Sequence, residues 1–292
     1  MSRRGEDGFV LIAVLWFIAA LAALASAYAI YAVKTAPSAA LPEERLRAEA
    51  AIRAGVELCA FRQLAWPKPA RPTSGAFSTL VGEARVDVVY VSESARVDLN
   101  SAPRDLLAGL FVQLGVKDSA AGFLADRVVT WRGRLKDTEM RRETALYAKA
   151  GLSYGPLGAP FDNALEISLL PGMSPALAER ALRFVTIFGG AGKIDPLVAD
   201  PLVLAALPGA TPAILKTLAA ARNGRAPDTA TLSRIAGPVK DFVSLDPNNN
   251  IRAEIVVTVG ARRVRAEIVL KVTDSSPAPY AILYWRDDFD GG

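Results

Sequence analysis

Asp98 and Asp195 are two acids whose setting in the chain repeats. The run RVDLNSAPRDLLAGL from Arg96 lies over KIDPLVADPLVLAAL from Lys193, which puts Asp98 over Asp195, Ala102 over Ala199, Leu107 over Leu204 and Leu110 over Leu207. Two carboxylates can divide the work of a general acid and a general base, but only with a titratable partner placed to serve the same substrate atom. No such partner stands at a matching spacing. Each aspartate falls just before a helical pattern, where its carboxylate would accept turn amides, so the pair reads as caps and not as catalysts. Histidine is absent, which removes Ser-His-Asp and Cys-His nucleophile systems and most zinc sites. Asp, Ser or Lys chemistry stays open, and with it an anchored enzyme as a rival class. The single cysteine, Cys59, cannot form an intramolecular disulfide. Its neighbours Val56, Leu58, Ala60 and Phe61 put the thiol in an apolar surface.

Two further stretches carry chemical potential. LLPGMSPALAERAL and ALPGATPAILKTLAAARNG each place Leu-Pro-Gly and a two-residue step before a helix, a pattern that looks like a helix-hairpin-helix unit gripping phosphate with glycine amides and a helix N-terminus. Neither hairpin carries Lys or Arg; the nearest charges, Glu179 and Lys216, come about a turn later. Nucleic-acid affinity is largely electrostatic, and a net charge of +4 is mild, so an architectural hairpin is the better reading and no nucleic acid is expected. A DNA-uptake protein using the paired hairpins is the alternative.

The elements around these residues follow from periodicity. LPEERLRAEAAIRAGVELCAFRQLAW places Leu46, Ala50, Ile52 or Arg53, Val56 and Ala60 at helical spacing behind the acidic first turn of Glu43 and Glu44, and predicts an amphipathic helix from Pro42 to Leu64, stopped at Trp66-Pro67. Pro37 and Pro42 predict a kink or short linker ahead of it. FSTLVGEARVDVVYVSES reads as two strands joined near Gly82 and Glu83, with Val86, Val88 and Tyr90 on one face. IRAEIVVTVGARRVRAEIVLKVTD reads as a hairpin turning at Gly260-Ala261, and YAILYWRDD as a last strand. Between these strands, about Ser101 to Val239, apolar residues recur at helical spacing in two related units. Strands near residues 80 and 260 could complete one sheet, which makes the helical middle an insertion. The class is α+β.

The start of the chain sets its address. From Phe9 to Val33 there is no charge, and about 20 apolar residues suffice to cross a bilayer as a helix. Ala25, Ser26 and Ala27 could supply a signal-peptidase site, but the apolar run continues through Tyr28, Ile30 and Val33, so removal there would leave an apolar stub. Arg3 and Arg4 precede the span and predict a cytoplasmic N-terminus, with the tyrosines near the outer interface. Ala19, Ala20, Ala22, Ala23 and Ala25 would permit close approach of neighbouring helices.

A short basic leader ending in Gly8, followed by Phe9 and an apolar helix, resembles the class III signal of type IV pilins and type II secretion pseudopilins. The resemblance implies that a prepilin peptidase cuts between Gly8 and Phe9 and methylates the new amine of Phe9. Most pilin-like subunits carry glutamate at the fifth mature residue; here that position is Ala13. A buried carboxylate is tolerable only when paired, and a subunit with no neighbour above it has no amine to offer one. The leader, Ala13, the helix and sheet, and an insertion opened by DLNSAP together resemble the minor pseudopilin K family of the type II secretion system. That resemblance implies no enzyme but a single-pass inner-membrane protein set in lipid, with the bulk of the chain periplasmic. It would cap the secretion pseudopilus together with minor pseudopilins I and J. The implied domains are a leader at 1-8, a transmembrane helix at 9-34, a pilin-like helix and first strands at 35-100, a helical insertion at 101-240 and C-terminal strands completing an antiparallel pilin-type sheet at 241-292. No cofactor is expected. Some members of the family bind calcium, and SLDPNNN and WRDDFDGG could offer oxygen ligands, but neither has the spacing of a recognised calcium loop and metal stays unassigned.

Overall fold

A computed structural model describes residues 6–223, 229–246, 248–260, 262–274 and 277–288. Helix α1 (Glu6–Leu64) opens the chain, followed by β1 (Ser74–Val81), β2 (Ala84–Ser92) and the short β3 (Val97–Asp98). The middle holds α2 (Arg104–Gln113), α3 (Asp118–Arg132), α4 (Asp137–Lys149), α5 (Pro175–Leu182), β4 (Val185–Thr186), α6 (Pro201–Ala205), α7 (Pro212–Asn223) and α8 (Thr229–Ala236). Strands β5 (Asn250–Val259), β6 (Arg262–Val272) and β7 (Tyr280–Asp287) close it.

The break expected at Pro37 and Pro42 does not occur, because α1 runs through both. Each proline removes one backbone hydrogen bond and crowds the preceding turn, yet its fixed φ is itself helical. Strong helix formers on either side, Ala36, Ala39, Ala40 and Leu41, carry the helix past them. The buried stripe of α1 is also offset from the one predicted. Ala48, Ile52, Val56 and Cys59 face the sheet, whereas Leu46 is 66% exposed and Ala50 and Arg53 lie outside. Both stripes have helical period, and small residues decide between them. A Cβ on Gly55 would stand 3.1 Å from methyl groups of Ile255 and Val86, so a glycine lets the helix settle closely onto β2 and β5.

The five strands form one antiparallel sheet in the order β1-β2-β5-β6-β7. Alternation buries Val86, Val88 and Tyr90 of β2 with Ile251, Ala253, Ile255 and Val257 of β5, beneath α1. Phe77 pairs with Val88 and Val257 with Val264, which fixes the register of the predicted hairpins, and Val88 pairs with Ile255 where the two hairpins join. The chain leaves the sheet after Ser92 and returns at Asn250, and Ser92 pairs with Ile251. Everything between is therefore spliced into what would otherwise be a simple hairpin. This insertion has its own core around Leu106, Leu110, Phe111, Val128 and Trp131, and its helices are accompanied by two short parallel pairings, β3–β4 and Ile194–Val243.

Candidate functional site

The first half of α1 projects from the folded body. Leu11–Ile30 is, among the described residues, the one helical stretch long and apolar enough to cross a membrane, and none of it is buried. Trp16, Phe17 and Tyr28 stand open. At about 25 cal/mol per Å² such a surface is costly to leave in water, which is consistent with a single membrane-anchoring helix. Gly8 and Phe9 lie in the opening turns of α1, and Ala13 follows on the exposed stretch with no acid in its place.

The two repeated aspartates sit in matching but separate turns. The Asp98 carboxylate accepts the amide of Asn100 at 2.6 Å and that of Gly190 at 2.7 Å, and Asp195 accepts the amide of Leu197 at 2.9 Å. Both therefore cap, as their position predicts. Burial pushes the Asp195 carboxyl above the ordinary value, opposed by the Leu197 amide, the Thr73 hydroxyl and Arg222. The duplication extends further than the sequence alignment. Val97 pairs in parallel with Val185, and the corresponding Ile194 bridges in parallel to Val243. Arg132, at the end of α3, donates to the carbonyls of Leu99 at 2.6 Å and Ala102 at 2.7 Å. Arg222, near the end of α7, donates to the carbonyls of Pro196 and Ala199, the equivalent two positions. Sequence reading missed these arginines; extending the repeat to the helix before each following glycine, WRG and ARNG, is the signal that finds them.

In the hairpins that resemble phosphate grips, one amide each closes a turn. Met173 N–H donates to Leu170 O and Ala210 N–H to Leu207 O, each at 3.0 Å. The Ser174 and Thr211 hydroxyls cap the helices that follow. Gly172 and Gly209 have φ near 85° and 81°, so glycine is required there to turn the chain.

The insertion is clasped to the sheet by charge. Glu93, fully buried just after β2, accepts Arg252 Nε at 2.6 Å and Nη2 at 3.1 Å and also accepts the Thr186 hydroxyl. Arg252 reaches on to Glu267, which also takes Arg286. Nearby, SLDPNNN acts as a clip: Asn248 donates to Gly189 O at 2.7 Å and Asn250 to Phe188 O at 2.6 Å. These contacts engage the amide groups of Asn248 and Asn250, and among the described residues no group of three or more His, Cys, Asp or Glu is placed to hold a metal ion. In WRDDFDGG, Asp287 accepts the Trp285 indole and Asp288 accepts the Arg265 amide; residues 289–292 lie outside the described residues.

Residues 84–190, from β2 through the first helical unit, match the family model described as type II secretion system (T2SS), protein K. The fold is similar to that of a chain in the crystal structure of the GspK-GspI-GspJ complex from the enterotoxigenic Escherichia coli type 2 secretion system. The TM-score is 0.58 at 16% identity, over 86% of this chain and 98% of that one. No curated protein matches the chain.

Proposed function

We propose that this chain, whose residues 84–190 match the type II secretion system protein K model, is the minor pseudopilin at the tip of the secretion pseudopilus and supports export of folded proteins across the outer membrane. One observation carries the reading: a large helical body is spliced between β2 and β5, hydrogen-bonded neighbours of an antiparallel sheet backed by α1. A subunit widened in this way would clash inside a tightly packed helical filament but is free to sit at its end. Ala13 supports the same placement, since a tip subunit has no neighbour above whose amine could pair with an acid.

In this reading a prepilin peptidase cuts between Gly8 and Phe9 and methylates Phe9, and the exposed stretch of α1 stays in the inner membrane with the folded body in the periplasm. Minor pseudopilins I and J are the partners, a proposal supported by the complex in which the similar fold occurs. The role is structural and not enzymatic. Neither hairpin carries Lys or Arg, which favours it over DNA uptake.

Mass spectrometry of the chain extracted from membranes tests the processing step. The expected N-terminus is N-methylated Phe9, produced only when prepilin peptidase is present; an intact Met1 or a start after Ala27 would contradict it. Co-purification with I and J tests assembly, and failure of all three to associate would remove the proposed partners.

A further inference from the structure

A cleft of ≈820 Å³ opens where the insertion meets the sheet. Its floor crosses the face of the sheet turned away from α1: Val91, Arg252 and Tyr284 line it, level with one another on β2, β5 and β7, the last two joined through Val269 of β6. The insertion supplies the opposite wall, with Leu165 and Phe184. The volume falls within the range of about 300–1,000 Å³ typical of ligand sites, and an inorganic ion would fill only a corner of it. Most of the charges around it are engaged. Arg252 and Arg286 hold Glu267, Arg222 caps two carbonyls, and Asp200 caps the amide of Leu202 at 2.8 Å. Arg96 and Arg183 make no hydrogen bond or ion pair among the described residues, and the Asp162 carboxylate is likewise unengaged. Two cations against one acid leave one positive charge over.

Arg183 and Asp162 are exposed and stay hydrated, whereas Arg96 is half-buried. None of its nitrogens is sealed from solvent, so its unpaired donors open into the cleft. Burial and the neighbouring Arg252 hold it below the ordinary guanidinium range, and Glu93 and Glu267 only partly offset this. A carboxylate arriving there would supply the missing countercharge and two acceptors in the geometry that a guanidinium fork matches. The lining selects what the carboxylate is attached to. Leu165 and Leu283 are exposed apolar side chains on the same cleft, beside the half-buried Phe184 and Tyr284, and such a surface gains by being covered. A single leftover charge calls for a monoanion, and the room and apolar lining call for a body behind it. We propose that this cleft binds a small carboxylic acid with an apolar body, its carboxylate on Arg96 and its body against Leu165 and Leu283. The site does not depend on where in the pseudopilus the chain sits.

The test uses the full chain in nanodiscs of zwitterionic phosphatidylcholine at low salt, with naphthoate as the probe and the neutral naphthamide as its control. Both are read by equilibrium dialysis, with uptake by empty nanodiscs subtracted. Saturable binding of one naphthoate per chain is expected, at least about tenfold tighter than naphthamide, as charge-assisted hydrogen bonds allow. Arg96→Gln should lose about that factor and, because it removes an unpaired half-buried charge, should melt no lower than the parent by circular dichroism. Leu165→Ser, at an exposed position, should weaken binding several-fold, while Arg265→Gln, outside the cleft, should leave it unchanged. Leu165→Ser decides the matter should Arg96→Gln fail to fold. Equal binding of naphthoate and naphthamide, or parental affinity in either cleft variant, would overturn the proposal. So would displacement of naphthoate by an equal concentration of inorganic phosphate, which would mark a generic anion site.

Discussion

The repeated aspartates have different surroundings, and the same substitution should separate them. Asp98 uses two oxygens for two backbone amides, so Asp98→Asn turns an NH2 group toward one of those donors and should cost about 1–3 kcal/mol. Asp195 accepts one backbone amide and the Thr73 hydroxyl, which can turn to accept from an amide NH2, and burial disfavours its charge, so Asp195→Asn keeps the cap and removes an ion from the interior. We expect it to be neutral or stabilising in urea unfolding at neutral pH. The clasp gives a second contrast. Arg252→Met would strand the buried Glu93 carboxylate and should cost about 3–5 kcal/mol. Burial works against the charge on Glu267, but the hydrogen bond and charge of Arg252, with Arg286 and Arg96, outweigh it and hold the carboxyl below its ordinary 4.5. A carboxyl with a lowered folded pKa binds fewer protons when folded. Its contribution is therefore full above 4.5 and is lost as pH falls through the folded value. Urea midpoints should drop on acidification below that point, and by less in Glu267→Gln.

Between elements, the crossing of α2 and α6 depends on Gly109. A Cβ there would stand 2.1 Å from the carbonyl oxygen of Ala206, a backbone atom that cannot swing aside. Gly109→Ala should lower stability by about 1–3 kcal/mol, measured by calorimetry, whereas Gly122→Ala, which meets only the flexible end of Arg104, should not. Elements of this kind differ in how far the sequence discloses them. The alternation of Val86, Val88 and Tyr90 is legible because a sheet covered on one face imposes a period of two. The burial of α1 is legible only up to its phase, since Leu46-Ala50 and Ala48-Ile52 share one period and only the close approach at Gly55 chooses between them. The prolines mislead because a local penalty is outweighed by the helix on both sides. Arg132, Arg222 and the Glu93–Arg252 clasp leave no periodic trace; the clasp joins residues 159 positions apart. Ala13 is the opposite case: the role proposed for it rests on a missing charge, which is visible in the sequence and leaves no mark on the fold.

At the scale of the whole molecule, sheet and insertion are separate cores joined at one seam. Because Ser92 and Ile251 are paired neighbours, residues 93–250 can be replaced by a two-residue Asn-Gly turn. The excised protein should keep α1 on a five-stranded sheet and unfold cooperatively by circular dichroism; a molten product would show that the insertion holds the sheet together. The insertion would then be a body carried by a complete pilin-like scaffold, at the filament end where its width is tolerated. Immunogold labelling of isolated secretion pseudopili with an antibody to the insertion tests that placement most directly. Label is expected at one end of each filament and none along the shaft; label spaced regularly along the shaft would rule out the tip position.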